Sequence, residues 1–132
     1  MTNQSAWFKA ASSGDEEALR QLLNQGADVN ARDEAENTAL HLATKHGHKN
    51  IMRLLIEHGA NVNAQNDYAS TPLHLTEKNM ETIRILLEAG ADPNMTDKDW
   101  NFPYYYVFYG SMPRELTELY IKHGANLMLY PE

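Results

Sequence analysis

The sequence predicts an all-α fold, a solenoid in which helix-turn-helix units stack and extended loop or β-turn fingers connect them. Two recurring phrases predict this fold. A phrase of the form Thr-x-Leu-His starts at Thr38 and again at Thr71, 33 residues later. A five-residue phrase recurs with glycines 33, 31 and 34 residues apart, at 26–30, 59–63, 90–94 and, in degenerate form, 124–128. Two phrases that share one period indicate repeats that bury their apolar faces only against one another.

The first helix of each unit is predicted to begin at the Thr-x-Leu-His phrase, because a threonine hydroxyl caps free backbone N–H groups. The second copy adds a proline, which the first helical turn tolerates. A turn at 46–48 leads to a second helix, where Ile51, Leu54 and Leu55 form an apolar stripe at i, i+3 and i+4. Gly59 is predicted to cap this helix in the left-handed conformation, which a Cβ makes costly.

These phrases resemble the ankyrin repeat, whose hallmarks are a T-P-L-H start, a Gly-His turn, a Leu-Leu pair and a closing G-A-D-x-N. The resemblance covers about residues 5–128. It implies one ankyrin-repeat domain, 1–132, whose first helices form a concave face beside the loop fingers. Its four units, of which the first and last are end caps, lie at about 5–30, 31–63, 64–94 and 95–128.

The repeats depart from the ankyrin pattern in their loops and in the third unit. Glu36, Ala69 and Trp100 stand where the family usually places a glycine, so the sequence does not assure the usual loop conformation. The third unit is two residues short between its helices. Because the apolar stripe keeps its spacing to Gly90, the deletion is predicted to shorten the turn between those helices.

Aromatic residues are concentrated in the fourth unit, where 100–109 holds seven of the twelve in the chain. One interpretation is a carboxy-terminal cap whose bulky side chains seal the open end of the stack. The other is a binding surface, because tyrosine and tryptophan dominate interface hot spots. Trp100 and Tyr109 are the candidates for that role, and the two interpretations can hold for different rings.

The composition argues against several classes of function. Eighteen acidic residues against eleven basic ones leave a net charge of −7, so nucleic acid and anionic membranes are not expected partners. The chain has no cysteine, so we expect no disulfide, no thiolate zinc site and no thiol catalysis. It has no apolar run of 18 residues, so we expect no membrane-spanning helix. Residues 1–15 lack a basic start followed by an apolar run, so we expect a cytoplasmic protein, without excluding delivery into a host cell by a specialised secretion system.

The sequence holds no motif that predicts chemistry, so we expect no enzyme, no cofactor and no metal. It lacks a phosphate-binding glycine loop, a serine nucleophile elbow and a zinc-ligand motif. The resemblance gives structural roles to polar residues that, taken alone, suggest a site. It implies that His41 and His74 tie loop to helix, and that Asn30, Asn63 and Asn94 form structural hydrogen bonds.

The resemblance implies a non-catalytic module that binds another protein through its concave helix and loop face, as an adaptor, inhibitor or scaffold. A rim of mixed charge around aromatic side chains suits protein recognition. The variable positions of the family give the candidate partner-binding residues Arg32, Glu34, Asn37, Lys45, His46, Asp67, Tyr68, Lys78, Lys98, Asp99, Trp100 and Tyr109.

Two alternatives remain open. One is a self-associating structural protein that uses its aromatic carboxy-terminal unit, and it makes dimerisation through that unit an alternative to the expected monomer. The other is an immunity- or effector-type protein whose target is encoded elsewhere.

Overall fold

Six α-helices and one 3-10 turn form the regular structure of the described residues, which are 3–77, 79–105 and 113–126 in this computed structural model. The α-helices are α1 (Asn3–Ser13), α2 (Glu16–Asn24), α3 (Ala39–Lys45), α4 (Lys49–Glu57), α5 (Met80–Glu88) and α6 (Arg114–Lys122). The 3-10 turn, Pro72–Leu75, lies between α4 and α5. Because these ranges contain no strand, the predicted all-α class is confirmed. None of their helices has the length and apolarity to span a membrane.

The helices pack in two rows. In the row of first helices, α1 contacts α3, and α3 contacts the 3-10 turn. In the row of second helices, α2 contacts α4, α4 contacts α5, and α5 contacts α6. Each hairpin also packs internally, as α1 does on α2 and α3 does on α4. An element therefore contacts its own hairpin partner and its equivalents in the neighbouring units, as the predicted stacking requires.

The core lies between the two rows. The predicted stripe of α4, formed by Ile51, Leu54 and Leu55, is buried, and so is the equivalent Leu86 of α5. Removing a side chain of this size from water contributes roughly 1.5–3 kcal/mol to stability. The apolar spacing of the sequence thus identifies the buried side of each second helix.

The closing phrases end each second helix and join it to the next unit. Their glycines have φ values between 89° and 97°, which confirms the predicted left-handed caps: Gly26, Gly59, Gly90 and Gly124. Asn30 Oδ1 accepts a hydrogen bond of 2.8 Å from the backbone of Asn61. Asn63 and Asn94 bond in the same way to the following unit, at 2.7 and 2.9 Å. The structural role implied for these asparagines is confirmed.

The deletion in the third unit shortens the first helix and not the connection between the two helices. Seven residues form α3, whereas four form the equivalent 3-10 turn, and α5 begins at Met80. The hydroxyl of Thr76 donates to the carbonyl of Leu73 at 3.1 Å, and the left-handed conformation of Glu77, with φ 53°, does not continue a helix. The predicted shortening of the turn is therefore wrong. The second helix keeps its apolar stripe because the deleted residues are missing from the first helix.

Two buried tyrosines fill the last unit, Tyr104 at a position where earlier units have leucine, and Tyr120 at the position of Leu86. Their ring centroids are 5.7 Å apart in an edge-to-face arrangement. Tyr104 Oη donates to the carbonyl of Asn126 at 3.1 Å. Tyr120 Oη is buried without a hydrogen bond to any described residue. Burial raises the pKa of its phenol, and the Thr76 side chain lies near it. The Tyr120 side chain thus reaches the end of the shortened helix.

Candidate functional site

Three loop fingers lie side by side along one edge of the stack: finger 1 (33–37), finger 2 (66–70) and finger 3 (97–101). In each, the first residue donates a backbone hydrogen bond of 2.9–3.0 Å to the carbonyl of the last. Neighbouring fingers also bond directly, since the backbone N–H of Asp67 donates to Ala35 and that of Lys98 donates to Tyr68, both at 3.0 Å. The fingers therefore form one continuous edge and not three independent loops.

Each finger contains a residue in the left-handed conformation that the family usually assigns to glycine. Their φ values are 64°, 58° and 65°, at Glu36, Ala69 and Trp100. An L-residue in this region costs about 1–2 kcal/mol. The side chain that opens each finger offsets this cost, because Oδ1 of Asp33, Asn66 or Asp97 accepts two backbone N–H groups at 2.9–3.0 Å. The usual loop conformation is kept without glycine.

Two buried histidines fix the fingers to the helices. His41 Nδ1 accepts a hydrogen bond from the backbone N–H of Thr38 at 3.0 Å, and Nε2 donates to the carbonyl of Ser70, in the next finger, at 2.8 Å. His74 repeats the pattern, with Nε2 3.0 Å from the carbonyl of Asn101. Burial lowers the pKa of both imidazoles. The implied tie between loop and helix is confirmed, and it requires the neutral ring with its proton on Nε2.

Two of the candidate residues form hydrogen bonds to other loop residues. Arg32 Nη1 donates to the carbonyls of Glu36 and Gln65, at 3.1 and 2.6 Å. Asn37 is half-buried, and its Oδ1 accepts from Asn66 Nδ2 at 2.9 Å. These side chains hold adjacent fingers together, so their polar groups support the edge.

Six of the candidate residues lie exposed at the finger tips. They are Glu34, Asp67, Tyr68, Lys98, Asp99 and Trp100. Trp100 is 82% exposed and Tyr68 is 41% exposed. None of the four charged side chains forms an ion pair with another described residue. Charged and aromatic groups are therefore presented together along one edge, on a backbone held by hydrogen bonds.

The remaining candidate residues lie elsewhere. Lys45 ends α3 and His46 follows it, and both are exposed. Because α3 rises by 1.5 Å per residue, they lie about 10 Å from the end of the helix that carries the fingers. The His46 ring stacks on that of His48, with centroids 6.1 Å apart. Lys78 and Tyr109 lie outside the described residues.

The candidate set omitted Phe8 of α1. This side chain is half-buried and lines a shallow hollow with Glu34 and Ala35 of finger 1. In the same region, Gln4 Nε2 donates to the carbonyl of Arg32 at 3.4 Å. The first helix row and the fingers thus share one face. The sequence could have identified Phe8 because it directly follows Trp7, which is buried, so that the two side chains point to different sides of α1.

The described aromatic residues of the fourth unit divide between the two interpretations. Tyr104 is fully buried, and the half-buried ring of Phe102 stacks on it with centroids 5.3 Å apart. This pair seals the unit as a cap does. Trp100 projects from finger 3, as a binding residue does. Residues 106–109 lie outside the described ranges.

The groups at the finger tips suit contact with another surface. They comprise both signs of charge and two large rings. Across 3–77, 79–105 and 113–126, no three or more histidine, aspartate or glutamate side chains are grouped as a metal site would need.

Comparison with known protein families supports the resemblance. A family model described as ankyrin repeats, in three copies, matches residues 7–97, which is more than half of the chain. The matched range extends from α1 to the first residue of finger 3. No curated protein matches the chain.

Proposed function

The chain belongs to the ankyrin-repeat family, and on this premise we propose that it binds a partner protein through its finger face, as an adaptor, inhibitor or scaffold. The finger face is the surface formed by the tips of the three fingers and the adjoining row of first helices. Ankyrin repeats are generally protein–protein interaction modules, and the family is typically non-catalytic. The proposal adds the residues through which this chain acts.

The observation that carries the proposal is the exposure of Trp100 and Tyr68 on adjacent fingers. Large aromatic side chains left in water forgo the stabilisation that burial gives. At interfaces the same side chains contribute most of the binding energy, often about 2 kcal/mol or more each. A partner that covers both rings recovers that energy.

The hydrogen bonds beneath the fingers favour binding. Backbone bonds of 3.0 Å between fingers, and the histidine bonds under them, hold the tips in place before a partner arrives. Ordering a loop on binding costs free energy, and a loop that is already ordered avoids that cost. The finger face is therefore supported as a preorganised surface.

Photo-crosslinking tests the proposal. A photo-reactive amino acid placed at Asp67 or Glu34 should capture a partner protein from cells that express the chain, because both side chains lie at exposed tips. The matched control places it at Arg84, which is exposed on α5 in the row of second helices. Capture from Arg84 alone would contradict the finger face as the binding surface.

Self-association through the last unit is a second candidate, favoured by the exposure of Ile121. This residue of α6 is 54% exposed, whereas Leu87, at the equivalent position of α5, is buried. An apolar side chain left uncovered on α6 favours self-association. Light scattering of Ile121→Lys beside the unsubstituted protein tests it. Equal masses for the two proteins would contradict this candidate.

A further inference from the structure

We propose that the part of the partner that contacts the finger tips is an extended segment bearing arginine or lysine side chains. This inference rests on the proposed function and adds the chemistry of the partner. Two independent features support it, namely the uncovered aromatic rings of fingers 2 and 3 and the excess of negative charge over the three fingers.

The aromatic rings provide the first argument. Trp100 and Tyr68 are the exposed rings of fingers 3 and 2, and the backbone bond from Lys98 to Tyr68 keeps these fingers adjacent. The face of an aromatic ring is electron-rich and attracts a cation, most strongly when the ring is tryptophan and the cation is a guanidinium. Two such rings on neighbouring fingers offer successive positions for basic side chains.

The charge of the fingers provides the second argument. Together the three fingers carry six carboxylates and one lysine, a net charge of −5. Arg32 lies beside them and pairs with Glu36 at 3.8 Å. The carboxylates of Glu34, Asp67 and Asp99 have no ion-pair partner among the described residues. The negative charge at the tips is therefore available to a partner.

Only a basic segment satisfies both features. An acidic segment would be repelled by the carboxylates, and a purely apolar segment would cover the rings while leaving those carboxylates desolvated and unpaired. A guanidinium stacks on an aromatic face and also donates to a carboxylate. The basic side chains of Lys45 and His46 lie at the other end of α3, so they do not neutralise the tips.

Fluorescence quenching tests this chemistry directly, because one of the two tryptophans reports on the site. Trp7 is 2% exposed, so collisional quenching by acrylamide reports mainly on Trp100. The probes are a short glycine-serine peptide bearing arginines, and the same peptide with glutamates or glutamines in their place. The arginine peptide should protect Trp100 from acrylamide, and added salt should weaken its binding.

Matched variants locate the effect. Asp67→Asn and Asp99→Asn should each lower the affinity for the arginine peptide by about two- to five-fold, as expected for the loss of one exposed ion pair. Glu57→Gln is the control, because Glu57 is an exposed carboxylate of α4 outside the fingers. It should leave the affinity unchanged. An equal effect from Glu57→Gln would overturn the proposal, because it would show attraction to net charge alone.

The outcomes separate this inference from the proposed function. Equal or better protection by the glutamate or glutamine peptide would overturn the basic segment and leave the finger face in place. So would failure of all three peptides to protect Trp100 while a crosslinked partner still requires that residue. A partner whose affinity is indifferent to both Trp100→Ala and Tyr68→Ala would overturn the proposed function, and this inference with it.

Discussion

His41 Nε2 donates a 2.8 Å hydrogen bond to the carbonyl of Ser70, so a buried side chain of one unit holds the base of the finger that begins the next. His74 makes the equivalent bond to Asn101 at 3.0 Å. The finger face is thus coupled to the helices that support it, and the protonation of two buried rings affects both.

Stability should fall on mild acidification because burial lowers the pKa of His41 and His74 below 6.5 in the folded protein. Both rings are neutral in the folded and unfolded states well above pH 6.5. Below pH 6.5 these histidines bind protons in the unfolded chain but stay neutral in the folded protein. Stability is therefore lost as the pH falls toward the lowered pKa values of the folded state. The slope is at most about 1.4 kcal/mol per pH unit for each ring.

Urea denaturation at about pH 7.5 and about pH 5.5 checks this dependence, above the range in which carboxylates dominate. His74→Gln should reduce the change in midpoint. His46→Gln, at an exposed position, should not. A midpoint that stays constant or rises on acidification would contradict the role given to the buried rings.

Ala69→Gly should stabilise the protein by up to about 1 kcal/mol. Ala69 has φ 58°, and relief of its left-handed strain exceeds the extra entropy that glycine gives to the unfolded chain. Ala35→Gly is the matched control, because Ala35 lies in finger 1 and is absent from the positive-φ positions. It should destabilise by about 0.5–1 kcal/mol. Equal losses in both variants, measured by urea denaturation, would contradict the strain.

Two tyrosine hydroxyls should differ in their contribution to stability. Tyr104→Phe removes the hydrogen bond to Asn126 and should cost about 1 kcal/mol. Tyr120→Phe removes a buried hydroxyl that lacks a hydrogen-bond partner among the described residues, and should be neutral or stabilising. Thermal denaturation of the two variants compares them. A larger loss of stability for Tyr120→Phe than for Tyr104→Phe would contradict these assignments.

Leu86→Ala should destabilise by about 2–5 kcal/mol, because its side chain is fully buried between the rows and its removal leaves a cavity. Ile121→Ala removes a similar side chain from an exposed position of α6 and should cost well under half as much. Denaturant midpoints measure both. Comparable losses would place Ile121 in the core and contradict the packing at the end of the stack.

The sequence could predict the structural features that recur in each repeat. The capping role of Gly59 and the stripe around Leu54 follow from residues at fixed offsets, whereas the tie made by His41 was implied by the family resemblance. The structure confirms all three. Family-level regularities of this kind specify local conformation and the buried face together. They therefore predicted the fold well.

What depends on contacts between units could not be read from spacing. A two-residue deletion fits either a shorter turn or a shorter helix, and the four residues of the 3-10 turn, against seven in α3, decide for the helix. Arg32 was a candidate for partner binding, whereas its guanidinium donates to a carbonyl of the next loop segment, at Gln65. Glu36 keeps the left-handed conformation because the Asp33 side chain supports the turn. The absence of glycine at this position therefore did not reveal the loop conformation.

The finger face is tested most directly by calorimetric titration of the crosslinked partner, once purified, against the chain and its Trp100→Ala variant. The dissociation constant should rise by about ten-fold or more, as for an aromatic hot spot. Arg84→Ala, at an exposed position of α5, should leave it unchanged. An unaltered constant for Trp100→Ala, with its helical content intact, would contradict recognition through the fingers.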